Sequence, residues 1–332
     1  MKLFILFLLA AMLLLSGCGT VVSSSDGYNE GVQGASSESA AAVEASAVTG
    51  PSVLPVEAME LITEMEPLEL AVPGDVTETT SAGEIDWSGN VVRASGTGVL
   101  DPGNPNRAQA RLMAERAAVV VAQRNLLETV QGVRVDSETR VENFMTDYDV
   151  IRTSVEGVVR NAVQTGPAVY DSLAGTVEVE LEMEIHGGQG LSGAIDAALA
   201  GRGTGQLSVS DQTLEFLEQY DALVFDGAGA GLQPSMYPKI YDADGNLLLD
   251  TGQYASYLGS GGPAAIQFIS DIDAILSQPF FEGSPLVVDV RRVTGQLGTD
   301  IVLGREESDT LGWLKTGLPF LVSAGKFLMS VI

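Results

Sequence analysis

The chain has 332 residues, with 44 Asp plus Glu against 17 Lys plus Arg, a formal net charge of −27. A field of that sign opposes polyanions and so excludes nucleic acid as a partner. With one cysteine, Cys18, and one histidine, His186, the sequence also excludes an internal disulfide, a Cys-based or multi-His metal cage and a thiol–imidazole dyad within the folded part.

Residues 1–18 begin with Lys2 and continue as an unbroken apolar run from residue 3 to 15. They close on Leu15, Ser16, Gly17 and Cys18, after which Gly, Ser and Thr take over. A basic start, a short apolar stretch and small residues at the cut are the anatomy of a secretory signal. The run is too short for a bilayer core, which needs about twenty residues. The Leu-Ser-Gly-Cys ending resembles the lipobox of bacterial lipoproteins. That resemblance implies removal of residues 1–17 and lipid attachment at Cys18, the membrane contact of the mature chain. Gly19 after the cysteine resembles the pattern of lipoproteins sorted to the outer membrane, with folded parts in the periplasm.

Residues 19–83 read as an acidic, low-complexity, disordered tether. Serine runs at 23–25 and 36–39 and an alanine run at 40–42 are interrupted by one aromatic, Tyr28. Such composition buries too little apolar surface to offset the entropy of ordering. Val56, Met59, Ile62 and Met65 recur at helical spacing and mark a short helix inside it. A flexible tether of this length spans roughly 40–50 Å.

The first folded unit is expected over 84–188. A strand around 91–94 leads into a turn-rich stretch at 101–106. Residues 107–130, rich in Ala, Arg, Glu, Gln, Leu and Met, predict the best helix of the chain. Its expected apolar face holds Ala110, Ala114, Ala117 and Val121, with Leu112, Val120 and Leu127 alongside, and Gly132 is the stop. Alternation at 133–141 predicts a strand, and 147–156 a helix with Val150, Ile151, Ser154 and Val155 inward. Strands follow at 158–170 and 175–185. In the last, Val177, Val179, Leu181, Met183 and Ile185 alternate with Glu178, Glu180, Glu182 and Glu184, a half-buried strand with one acidic, wet face.

Glycines at 187–190 and 201–205 bracket small residues and predict a linker over 189–210 that includes a helical turn. The second unit, 211–332, opens with a helix at 211–220 and a strand at 222–228. Asp244 and Gly245 between apolar runs predict a hairpin joining 238–242 to 246–250. A helix over 264–276, a central strand over 286–293, a helix capped by Ser308 and Asp309 and running to about 315, and a closing hairpin from 320–322 and 326–332 complete it. The fold class is α+β: two small domains, each a mainly antiparallel sheet with helices on one face.

The order of features from residue 95 to 185 resembles the LPP-type outer-membrane lipoproteins, the group that includes the flagellar basal-disc lipoprotein. A turn precedes an Ala-rich helix carrying the Ala-Gln-Arg-Asn-Leu-Leu-Glu run of 122–128. Then come Gly132, Val133, Arg134, Val135, Asp136 and Ser137, a helix ending in Val155, Glu156, Gly157 and Val158, and an alternating strand. Val224, Phe225 and Asp226, leading through glycines to Pro234, Pro238, Asp242 and Gly245, are similar to a module found after such domains in envelope lipoproteins. The resemblance implies a structural role in a flagellar or other envelope-associated ring.

The candidate chemistry is sparse. Gly227, Gly229 and Gly231 follow a strand, but Pro234 and Pro238 stand where a dinucleotide loop needs a helix. Asp242, Asp244 and Asp250 lack the further ligands of an EF-hand. His186 has no identifiable catalytic partner, and no Gly-x-Ser-x-Gly elbow occurs. No catalytic residue, cofactor site or metal site is therefore nominated, and the chain reads as non-enzymatic. Arg107, Arg111, Arg116 and Arg124 on the long helix suit an acidic face such as 178–184 on a neighbouring copy, in a head-to-tail contact; intramolecular or solvated charge is the alternative. Self-association or another envelope protein is the expected partnership. The competing expectation is a tethered periplasmic ligand-binding protein or carboxylate-based hydrolase.

Overall fold

The computed structural model describes residues 76–199, 222–254, 264–273 and 285–314, the strand at 327–330, and a few positions between 210 and 220 and at 277. Cys18, the signal and most of the tether lie outside the described residues. The predicted helix at 211–220 and the closing hairpin fall partly outside them.

Strands β1 (Thr77–Thr79), β2 (Glu84–Asp86), β3 (Val91–Val99), β4 (Val163–Gln164), β5 (Val169–Asp171) and β6 (Thr176–Glu184) form the first sheet, antiparallel at every pairing. β3 and β6 are its long centre, matched over nine residues from Val91↔Glu184 to Val99↔Thr176. β1 falls within the expected tether, so the sheet starts earlier than residue 84.

Helix α1 (Arg107–Gln131) covers one face of this sheet. Asn106 caps it, its side-chain oxygen accepting from the Gln109 amide at 3.1 Å, and Gly132 terminates it by donating to Thr129 and Val130 carbonyls. The face it buries differs from the expected one. Ala110, Ala114, Ala118, Ala122, Leu126 and Val130 point to the sheet, whereas Leu112 and Val120 lie outside. The cause lies in β3. A Cβ at Gly96 would sit 2.8 Å from Ala122 Cα, and one at Gly98 would sit 2.8 Å from the Ala114 carbonyl carbon. Strand glycines facing helix alanines let the two backbones approach closely, and larger residues are displaced to the outer surface.

The predicted strand at 133–141 is instead a buried loop. Asp136 Oδ1 accepts from the Glu138 and Thr139 amides and from Thr139 Oγ1, closing a turn with a single bridge between Arg134 and Arg140. Alternation misleads here because polar Arg134, Asp136 and Ser137 are buried as well as Val133 and Val135. In place of the single helix expected at 147–156, two occur, α2 (Val141–Asp147) and α3 (Asp149–Arg160), broken at Tyr148, with Val150 exposed. α3 absorbs the start of the strand expected at 158–170. The expected linker holds helix α4 (Leu191–Leu199), with Leu191 and Ile195 fully buried.

The second sheet joins β7 (Leu223–Asp226), β8 (Lys239–Tyr241), β9 (Leu247–Asp250), β10 (Gln267–Ile269), β11 (Leu286–Thr294), β12 (Asp300–Leu303) and β13 (Phe327–Ser330). Its order is β10-β13-β7-β11-β12-β8-β9. The α+β class stands, but this sheet is mixed rather than mainly antiparallel. Only β11–β12 and β8–β9 are antiparallel; β10–β13, β13–β7, β7–β11 and β12–β8 are parallel. Asp244–Gly245 makes the predicted turn, with Gly245 at φ +87° and Asp242 Oδ1 accepting from the Asn246 amide at 2.7 Å. The helix predicted at 264–276 contains β10, because Phe268 and Ile269 fill the core beside β13 rather than lining a helix face. Short helices α5 (Thr251–Tyr254) and α6 (Arg305–Thr310) complete the set, α6 starting after Gly304, ahead of the Ser308 cap expected.

One hydrophobic cluster runs through both sheets, from Val76 and Trp87 to Phe268, Trp313 and Leu314. Backbone bonds join them along the buried loop: Met236 and Tyr237 amides donate to Arg134 and Val135 carbonyls, and the Leu297 amide to that of Ser137.

Candidate functional site

The first sheet and α1 form a two-layer slab with two unlike outer faces. On the sheet side, the alternation of β6 turns Glu178, Glu180, Glu182 and Glu184 away from α1, as the sequence indicates. Register places Thr97 and Val169 beside Glu178, and Arg93 and Val163 beside Glu182. Arg93 is committed to this face: its Nε donates to Glu182 at 2.6 Å and its Nη1 to Asp86 at 3.1 Å. Burial opposes its charge, but these two carboxylates outweigh that and raise its pKa. Glu180 accepts from Thr165 Oγ1 at 2.7 Å, while Glu178 and Glu184 have no ion-pair partner among the described residues. Beside the acids lie Val163, 70% exposed, and Val169, 64%, with Val99, 72%, at the end of the face opposite Thr176. A sheet face with three such valines is more apolar than solvation alone requires.

On the opposite side, the outward stripe of α1 presents Leu112, Met113 and Val120, each more than half exposed, with Arg116 and Arg124 between them. Neither arginine has a carboxylate partner among the described residues. Arg107 and Arg111 sit apart, at the start of the helix, where the Arg111 guanidinium lies 5.2 Å from the Tyr170 ring centroid. The four helix arginines named by the sequence therefore divide into two pairs on different surfaces.

A second group is buried where the two sheets meet. Arg134 donates through Nε to the Pro234 carbonyl at 2.6 Å, pairs through both terminal nitrogens with the Glu78 carboxylate, and lies over Trp87 at 5.6 Å. His186 is buried edge-on to Tyr237, ring centroids 5.6 Å apart, and desolvation lowers its pKa to about 4. Tyr237 donates to Asp196 at 2.5 Å; burial and that carboxylate push its pKa well up. His186 is thus a neutral core residue with its backbone clamped by Asn90, whose side chain both accepts from His186 N–H and donates to its carbonyl.

Nearby, a cavity of about 310 Å³ is lined by Ser137, Glu138, Tyr241, Arg292, Thr294 and Asp300 among others. Burial raises the Asp300 pKa despite bonds from Ser137 and the Lys239 amide, whereas Asp136, also desolvated, is lowered by its Thr139 and Glu138 bonds. Two carboxylates pushed in opposite directions can in principle divide acid and base roles. Here each is also a fastener, Asp136 for the buried loop and Asp300 for the end of β12, and sequence reasoning nominates neither. The signal that could have found Arg134 and Asp136 is their place in an otherwise apolar alternation.

The remaining candidates are structural. Gly229 and Gly231 adopt positive φ and carry the chain into an irregular stretch ahead of β8. Asp242 serves the hairpin, Asp244 pairs with Arg305 at 2.9 Å, and Asp250 accepts from the Gly252 amide. Among the described residues no three His, Cys, Asp or Glu side chains are grouped to hold a metal ion, and no helix is long and apolar enough to cross a membrane.

Residues 222–321 match the family model described as Treponema pallidum Tp0624, second domain. The match covers β7 to α6 and leaves the slab outside it. No curated protein matches the chain.

Proposed function

We propose that this chain is a lipid-anchored protein of the bacterial cell envelope, held at the outer membrane through Cys18, whose folded part serves assembly in the periplasm rather than catalysis. The observation that carries the reading is the pairing of opposites on the slab: valines among glutamates on one side, and on the other leucine, methionine and valine beside arginines with no carboxylate partner among the described residues. Surfaces of that kind match each other across two copies and, lying on opposite sides, repeat head to tail into a ring or filament, flagellar or otherwise. The lipobox resemblance and the acidic tether support placement at a membrane with the folded part held clear of it.

The test uses the full chain in detergent. Arg116→Glu with Arg124→Glu, and separately Glu178→Lys with Glu180→Lys, should each abolish sedimentation as an oligomer, and mixing the two variants should restore oligomers in which they alternate, because every sheet–helix contact between unlike variants again joins opposite charges. Oligomers that persist in both variants, or a monomeric parent, would refute stacking. Retention of the Cys18→Ala protein in the membrane fraction would refute the anchor. The competing reading as a tethered ligand-binding protein or hydrolase draws on the Asp300 cavity, and Asp300→Asn tests it through loss of any activity found.

A further inference from the structure

We propose that the cleft at the start of α1 binds acidic peptide segments, taking a carboxylate between Arg107 and Arg111 and an apolar neighbour against its floor. This goes beyond the stacking reading and uses the other arginine pair, so either can fail alone.

The cleft has a volume of about 790 Å³ and lies between the first turns of α1, the end of β3 and the turn joining β5 to β6. Val99, Leu100, Pro102, Ala108 and Ala174 supply its apolar lining, and Tyr170 one wall. Arg107 and Arg111, one helical turn apart, are its charged side chains, and among the described residues no acidic one lines it. Leu173, 99% exposed, stands at the tip of the adjoining turn.

The electrostatics of this corner run against the rest of the molecule. The first turn of α1 contains no acidic residue, although the positive end of a 25-residue helix is where one stabilises most. Two arginines at i and i+4 repel there instead. Acids outnumber bases by 44 to 17 in the chain, yet neither Arg107 nor Arg111 has a carboxylate partner among the described residues. Asp171, the nearest acid in sequence to Tyr170, is turned into its own loop, its Oδ1 accepting from the Leu173 and Ala174 amides. Apart from the contact of Arg111 with the Tyr170 ring, none of this serves the stability of the free chain, whereas an incoming carboxylate would gain two guanidinium forks beside a low-dielectric floor.

The occupant follows from charge and shape. Planar guanidinium pairs beside apolar surface suit a carboxylate carried on a peptide with an apolar neighbour. The site is a concave cleft of about 790 Å³, which admits a peptide segment with its side chains and does not match the plane of a bilayer.

The probe is a fluorescein-labelled hexapeptide alternating leucine and glutamate, titrated with the full chain and followed by anisotropy. Saturable binding is expected, weakened at least about tenfold by Arg107→Gln with Arg111→Gln and by raised salt, and unchanged by Arg291→Gln, an exposed arginine of β11 that belongs to neither arginine pair. A hexapeptide with glutamine for glutamate should not bind. On the unmutated chain, the acidic peptide should protect Arg107 and Arg111 from phenylglyoxal, read by mass spectrometry, which keeps the test independent of variant folding. The proposal is overturned by absence of saturable binding, by an equal loss in the Arg291 variant, by lack of protection, or by phosphatidylglycerol vesicles binding through Arg107 and Arg111 where the peptide does not.

Discussion

Replacing Gly98 by alanine tests the reason α1 buries alanines. In most strands that change is neutral or favourable, since alanine restricts the unfolded chain and gains about 0.4–1 kcal/mol where the backbone tolerates it. Here the added Cβ would lie 2.8 Å from the Ala114 carbonyl carbon and 2.9 Å from the Ala118 amide nitrogen, against ordinary contact from 3.4 Å. Both neighbours are backbone, so no side chain can swing aside. The helix has to withdraw by at least about half an ångström along the seam formed by Ala110, Ala114, Ala118 and Ala122, loosening contacts on either side. Overpacking of that kind costs about 1–3 kcal/mol, and the rigid obstacle puts Gly98→Ala near the upper end. For a folded region of this size, about 3 kcal/mol corresponds to a fall in midpoint of roughly 6–12 °C. Urea and thermal unfolding of the full chain, followed by circular dichroism, measure it. Gly157→Ala is the internal control: that glycine lies within α3, and a Cβ added to it would meet nothing within 4 Å. It should stabilise by about 0.5–1 kcal/mol. If Gly98→Ala proves as stable as the parent while Gly157→Ala behaves as stated, close helix–strand approach does not dictate the face of α1.

Arg134→Met should destabilise by about 3 kcal/mol, because it removes the donor to the Pro234 carbonyl and leaves the Glu78 carboxylate with the Trp87 indole N–H but no cation; a loss below about 1 kcal/mol in urea unfolding would mean water replaces it freely. Acid should act through His186. Its folded pKa of about 4 lies below the unfolded value of 6.5, so the unfolded state takes the proton first. That contribution is flat above about pH 6.5, and stability falls as pH drops from there to about 4, by about 3 kcal/mol in total. Comparing the parent with His186→Gln over that window isolates the effect from the carboxylates, and identical pH slopes would contradict it.

Elements written in local chemistry are legible in the sequence. Asn106 and Gly132 bound α1, the alternation of Val177 to Glu184 gives β6, and Asp244–Gly245 gives the hairpin, because each depends on neighbours a few residues away. What escapes such reading depends on distant chain. The loop at 133–141 reads as a strand until Pro234, Met236 and Tyr237 are known to bury its polar residues. Phe268 and Ile269 read as helix until β13 supplies a neighbour. The glutamate face is readable from alternation, and the arginines of α1 from composition. Their division into a stripe and a cleft is not, since it rests on Gly96 and Gly98 setting the helix against β3.

The position of β13 has a temporal meaning. Among the described residues β10 has β13 as its sole neighbour in the sheet, and β13 is also the partner of β7, about a hundred residues earlier in the chain. A polypeptide made from its first residue onward can close the first sheet as soon as residue 184 has emerged. The second must leave β7 with one flank open and β10 unpaired until residues 327–330 arrive. While the chain emerges, that half is a long-range, late-closing structure of the kind that folds slowly and exposes strand edges meanwhile. Holding the emerging chain at a distance from its neighbours over that interval is a task to which the repulsion of 27 net negative charges is suited.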